Sequence, residues 1–219
     1  TPARVVLVQH GGHTPCQNSA EAWPCSDVAD RTPSYLGYQY LAERLVADGF
    51  VVVSISANGT LGYADVSLAP DVFNYYLDLL QRANTGDDGP LGELLTGRLD
   101  LSGVDLIGHS RGGDAVAQFA RDDATVQPLV PVRRIVLLAP VVPVDFADTK
   151  HIAPIDVPTL VIIGTCDGDA GDAGLDYTQA LEHPTSHVMT MTGANHNFFN
   201  SQWTPATGVP DAIDDAELL

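Results

Sequence analysis

"VDLIGHSRGGDAVAQFA" (104–120) joins two kinds of chain at one point. Val104, Leu106 and Ile107 read as a buried strand, and Asp114 to Ala120 read as a helix. Between them stands Gly108-His109-Ser110-Arg111-Gly112, a hydroxyl flanked by glycines. A turn this tight drives its central residue into a strained backbone region, and neighbouring Cβ atoms would clash there. Glycines on both sides of Ser110 remove that clash.

The spacing fits Gly-x-Ser-x-Gly, the nucleophile elbow, in its required place between a strand and a helix. The plain alternative is an ordinary strand-to-helix turn. In an elbow the Ser110 hydroxyl projects beyond the carboxyl end of the sheet, where open parallel sheets bind ligands. The Arg111 N–H points at the same place from the helix N-terminus, which favours developing negative charge.

Working outward, apolar β-branched runs recur at 4–9, 50–56, 134–139 and 159–164, with a weaker one at 187–191. They are short and almost continuously apolar, as strands covered on both faces are. Helical patterns fall between them at 35–49, at 71–83 with Asp71 as N-cap after Pro70, at 112–122 and at 175–183. Loops are expected at 11–34, 57–70, 84–100, 140–157 and 165–174, and a short final helix at "DAIDDAELL" (211–219). Alternating strands and helices predict one domain over 1–219, a doubly wound, mostly parallel α/β sheet of about six strands.

The 219 residues are 45% hydrophobic and 17% charged, enough apolar content for a sizeable core. Net charge is −18, which disfavours nucleic acid and acidic membranes as partners and suits neutral or cationic substrates. No apolar run reaches the roughly 18 residues that span a bilayer. The sequence sets no oligomeric state. Cys16 and Cys25 flank "CQNSAEAWPC", a spacing that fits no common zinc site. A local disulfide is the favoured reading, which implies an oxidising compartment and hence a secreted protein; two free thiols are the alternative. Cys166 follows a strand as a small filler. The acidic run from Asp167 to Asp176 does not match an EF-hand, so no metal is expected there.

With its elbow between strand and helix, the chain resembles the α/β-hydrolase superfamily. That family orders its residues nucleophile, acid, histidine. The resemblance implies an acid in "TLVIIGTCDGD" (159–169): Asp167 comes three residues after Gly164, with Asp169 as the competitor. It implies the base in "TGANHNFFN" (192–200), at His196. "VLVQHGGH" (6–13) resembles the family's His-Gly loop, which assigns the second oxyanion donor to the Gly12 N–H beside that of Arg111. A simple Gly-Gly turn is the alternative. His10 is expected to brace this loop, and His109 to be packed. The first strand starts almost at residue 1, so any earlier strands are either absent, giving a sheet with a reduced N-terminus, or lie outside this sequence.

Within the superfamily, 40–62 and 153–167 look similar to the bacterial cutinase-like polyester hydrolases and lipases. Those enzymes usually carry an aromatic residue where this chain has Gly12, and often a tryptophan where Val141 stands. The departures weigh against aromatic polyester units as substrate. His13, Trp23 and Val141 are the candidate substrate-pocket residues. Trp23 either roofs the acyl pocket or simply packs. Arg111 either recognises a substrate carboxylate or pairs with Asp114 one turn on.

The expectation is a serine hydrolase of small-molecule or lipid-like carboxylic esters, working without a cofactor through an acyl-enzyme on Ser110. Acyl transfer, or amide and peptide cleavage, would use the same three residues. A non-catalytic binding module on a hydrolase scaffold is the remaining reading.

Overall fold

The computed structural model describes residues 1–17, 23–60, 66–87, 89–121, 127–142 and 152–203. The helix expected at 211–219 lies outside them. All six expected strands form: β1 (Ala3–Gln9), β2 (Val51–Ile55), β3 (Leu99–His109), β4 (Val132–Leu138), β5 (Thr159–Gly164) and β6 (His187–Met191). Every pairing among them is parallel, in the order β2-β1-β3-β4-β5-β6. This is the α/β-hydrolase fold.

The near-continuous apolar runs follow from burial on both faces. Val5 and Leu7 point into one cluster, with Phe73, Leu77, Leu106, Val116 and Phe119. Val6 and Val8 point the other way, against Tyr38, Ile107 and Leu138. Period-two alternation therefore splits an all-apolar strand between two cores. The helices α2 (Ala69–Thr85) and α4 (Arg111–Phe119) supply the first cluster. The helix α1 (Gln39–Ala47) lays Leu41 and Leu45 on the second.

Several boundaries differ from the expectations. The helix expected at 35–49 opens as a 3₁₀ turn, Ser34–Tyr38, and becomes α-helical only at Gln39. α2 begins two residues before Asp71: its N-cap is Leu68, Pro70 lies in its first turn, and Asp71 is a first-turn acid. Proline is already suited to that first turn, so it starts the helix instead of preceding it. The expected loop 84–100 contains a short helix, α3 (Gly89–Leu95), and the start of β3. The late helix is a 3₁₀ run, Ala173–Gln179.

β1 leads to β2 on one side, and the chain then crosses back to place β3 on the other side of β1. The carboxyl ends of β1 and β3 thus flank the reversal in strand order, where such sheets open a ligand crevice.

Candidate active site

Ser110 follows the last residue of β3 and precedes α4. Its backbone lies at φ 55°, ψ −123°, a region that costs a side-chain-bearing residue about 1–3 kcal/mol. Surrounding bonds hold it there. Its N–H donates to Leu138 O at 2.9 Å, and its carbonyl accepts from Gly113 N–H at 2.9 Å. The glycines have the steric reason anticipated for them. A Cβ on Gly108 would stand 2.1 Å from Gly112 O, and one on Gly112 would stand 2.4 Å from Gln9 O. The absent side chains let α4 start directly against the ends of β1 and β3.

Arg111 is the first residue of α4, so its N–H is one of the helix's unpaired N-terminal donors. Asp114, the expected partner of the Arg111 side chain, is buried and accepts from Gln118 Nε2 at 3.0 Å.

The loop after β1 carries His10 to His13. His10 accepts from Ala57 N–H at Nε2 (2.9 Å), which leaves Nδ1–H to donate to Gly11 O (2.7 Å). Burial pushes its pKa down to about 3, the Gly11 carbonyl offsetting part of that and nearby His13 adding to it. A neutral His10 thus braces the loop. Gly11 packs on the serine itself, since a Cβ there would lie 2.6 Å from Ser110 Cβ. Gly12 follows, half-buried at the same sheet edge.

Two acids were candidates, and they meet different atoms of one ring. Asp167 Oδ2 accepts from His196 Nδ1 at 2.9 Å, and the two side chains are 1% and 0% exposed. Asp167 Oδ1 accepts the N–H groups of Asp169, Ala170 and Gly171 at 3.0, 2.7 and 3.1 Å. Burial alone would raise the Asp167 pKa. The bond and charge of His196, with the Ala170 and Gly171 amides, outweigh it and hold the carboxyl below its ordinary value. Asp169 Oδ2 lies 3.3 Å from His196 Nε2 on an exposed side chain.

His109 ties the two loops together. Its Nδ1 accepts from Tyr38 OH at 2.9 Å and its Nε2–H donates to the His196 carbonyl at 3.0 Å. Its ring lies 5.1 Å from that of His196 and 4.9 Å from that of Trp203. Burial, and then the neighbouring His196, hold it neutral far below the usual histidine range.

The pocket candidates separate. Val141 stands beside the elbow: its N–H reaches Ser110 O at 3.4 Å and its carbonyl accepts from Tyr177 OH at 2.9 Å. His13 is buried, with Nε2 hydrogen-bonded to Ser34 Oγ and its ring edge-on to Trp203. Trp23 packs between Arg31, whose guanidinium lies 5.3 Å over the ring, and Gly59. Cys16 and Cys25 form a disulfide, with Cα atoms 5.7 Å apart. Cys166 is a free, half-buried thiol. Among the described residues, no group of three or more His, Cys, Asp or Glu is placed to hold a metal ion. No helix among them is long and apolar enough to cross a membrane.

Sequence reading missed the scaffold behind His196. Trp203 is 2% exposed, donates Nε1–H to Ser34 Oγ at 2.8 Å, and lies where no pattern was expected. Asn200, fully buried, donates to Ser34 O and accepts from Gln202 N–H. The signal was the density of amides and aromatics in "NHNFFNSQW" (195–203), an unusual composition for a solvated loop.

These geometries stand beside one sequence relationship. The chain is similar to Cutinase est2 of Thermobifida alba. The two are 27% identical over 173 residues, covering 75% of this chain and 51% of that protein. The chain thus spans about half the length of that relative. No family model matches it.

Proposed function

We propose that the chain is a secreted serine ester hydrolase that works through an acyl-enzyme on Ser110. One observation supports the reading: His109, the residue before the strained Ser110, hydrogen-bonds the backbone carbonyl of His196, whose ring is bonded to buried Asp167. The similarity to a cutinase supports the reaction class, and the Cys16–Cys25 disulfide supports an oxidising compartment.

In this mechanism His196 Nε2 takes the Ser110 hydroxyl proton as Oγ attacks the ester carbonyl. Asp167 fixes the Nδ1–H tautomer and stabilises the imidazolium. The carbonyl electrons move onto oxygen, which the Arg111 and Gly12 N–H groups receive; losing one such donor costs roughly 10²–10³-fold in rate. The imidazolium then protonates the departing alkoxide. Water, deprotonated by His196, attacks the acyl carbonyl; the Ser110 Oγ–acyl bond then breaks, His196 returns the proton to Oγ, and the acid leaves. Val141, beside the elbow, His13, just before the disulfide-closed loop, and Trp23, within that loop, are the proposed pocket residues. A net charge of −18 favours neutral, lipid-like esters over anionic ones.

The test is hydrolysis of p-nitrophenyl esters of increasing acyl length beside matched anilides. The reading expects ester turnover that falls by on the order of 10⁶-fold in Ser110→Ala. Turnover of anilides alone would make the chain an amidase. Transfer to added alcohols with little hydrolysis would make it an acyltransferase.

A further inference from the structure

His196 has a carboxylate on each ring nitrogen. Asp167 accepts the Nδ1–H hydrogen bond from within the protein, and Oδ2 of Asp169, on an exposed side chain, lies 3.3 Å from Nε2. The second contact is not needed to orient the ring, because Asp167 and the His109–His196 bond already do that. It also lies on the nitrogen that must exchange the serine proton.

We propose that Asp169 is a positioning residue that sets the basicity of His196 through Nε2. The proposal rests on the serine-hydrolase reading and deepens it. With Nδ1–H committed to Asp167, Nε2 carries a proton only in the imidazolium. In the neutral ring its lone pair faces a carboxylate oxygen, which is repulsive; once protonated, the same geometry is an ion pair. Asp169 therefore favours the imidazolium, in the free enzyme and whenever His196 holds the serine proton.

Among the described residues, the charged and titratable groups against the ring include Asp167 and Asp169 from the loop after β5, and His109 from β3. His109 is buried and spends both nitrogens on hydrogen bonds, so of these three the two carboxylates dominate. They differ in solvent access: the Asp167 side chain is 1% exposed and that of Asp169 is 66%. The Asp169 contribution is thus the one that salt screens.

The sign is fixed. A nearby negative charge raises the imidazole pKa, so activity that needs neutral His196 is lost at a higher pH than it otherwise would be. Asp169→Asn should move the acid limb of kcat/KM down by about one pH unit, after discounting for exposure. Its alkaline plateau should fall by less than about tenfold, since a weaker base remains a base. Raising salt to 1 M should move the wild-type limb the same way and leave the Asn variant's limb in place. Asp169→Glu should restore the wild-type limb.

The experiment pairs these profiles with an NMR titration of the His196 Cε1–H signal in wild type and Asp169→Asn. The titration needs no turnover, so it reads the proposal even if Ser110 is not a nucleophile. A lowered His196 pKa in the variant supports the proposal. Superimposable titrations, or superimposable acid limbs in two active enzymes, overturn it. An inactive wild type whose His196 titration still shifts overturns the ester-hydrolase reading alone.

Discussion

The Nε2–H of His109 donates to the backbone carbonyl of His196 across 3.0 Å. The residue before the serine therefore fixes the main chain of the residue proposed as its base, although 87 positions separate them. Tyr38 OH secures the other nitrogen, so three segments lock through one neutral ring. His109→Phe keeps the ring stacking and leaves Tyr38 OH and His196 O without this partner. Each such buried loss costs about 1–3 kcal/mol. We expect lower stability in urea and a fall in kcat larger than any change in KM. A variant with wild-type kcat and stability would remove His109 from the scaffold.

Asp167→Asn tests the buried acid. An amide can still accept the three loop N–H groups at Oδ1, so circular dichroism should be unchanged. It cannot hold His196 in the required tautomer, and kcat should drop about 10⁴-fold. Activity within tenfold of wild type would contradict this assignment.

Acid should unfold the protein through two neutral histidines. The His10 pKa is pushed down to about 3, and that of His109 also lies far below its ordinary value. Below about pH 6.5 the unfolded chain binds a proton at each ring, and the folded chain does not until the lowered pKa of that ring is reached, so stability rises with pH through that window. The slope approaches one proton per ring well below about pH 6.5. Urea midpoints measured from pH 4 to 6.5 check it; a flat profile would remove the two rings as acid-sensitive elements.

Reduction of Cys16–Cys25, nine residues apart, should cost roughly 2–3 kcal/mol by freeing the unfolded chain. Because that loop continues into His13 and Gly12, ester turnover should weaken as well. Thermal unfolding and chain-length profiles with and without reductant measure both, and unchanged values in reductant would contradict the prediction.

The six strands and the serine turn were readable because burial and sterics act locally there. Continuous apolar runs such as "RVVLVQ" admit few other folds, and Gly108 and Gly112 admit almost no larger residue. Asp167 was legible by its place after β5, but its separation from Asp169 was not, since that depends on which ring nitrogen each carboxylate meets. The scaffold of Tyr38, His109, Asn200 and Trp203 was illegible for the same reason. Its hydrogen bonds join residues far apart in the chain, and no spacing encodes them. α3 was hidden by the glycines and proline of "NTGDDGP", which read as a turn.

The central claim is that the Ser110 hydroxyl is an activated nucleophile, and an alkyl fluorophosphonate tests it directly. The account predicts one covalent adduct per chain, mapped by mass spectrometry to Ser110 and absent in Ser110→Ala. No adduct on a folded protein, or an adduct that persists in the alanine variant, would contradict it.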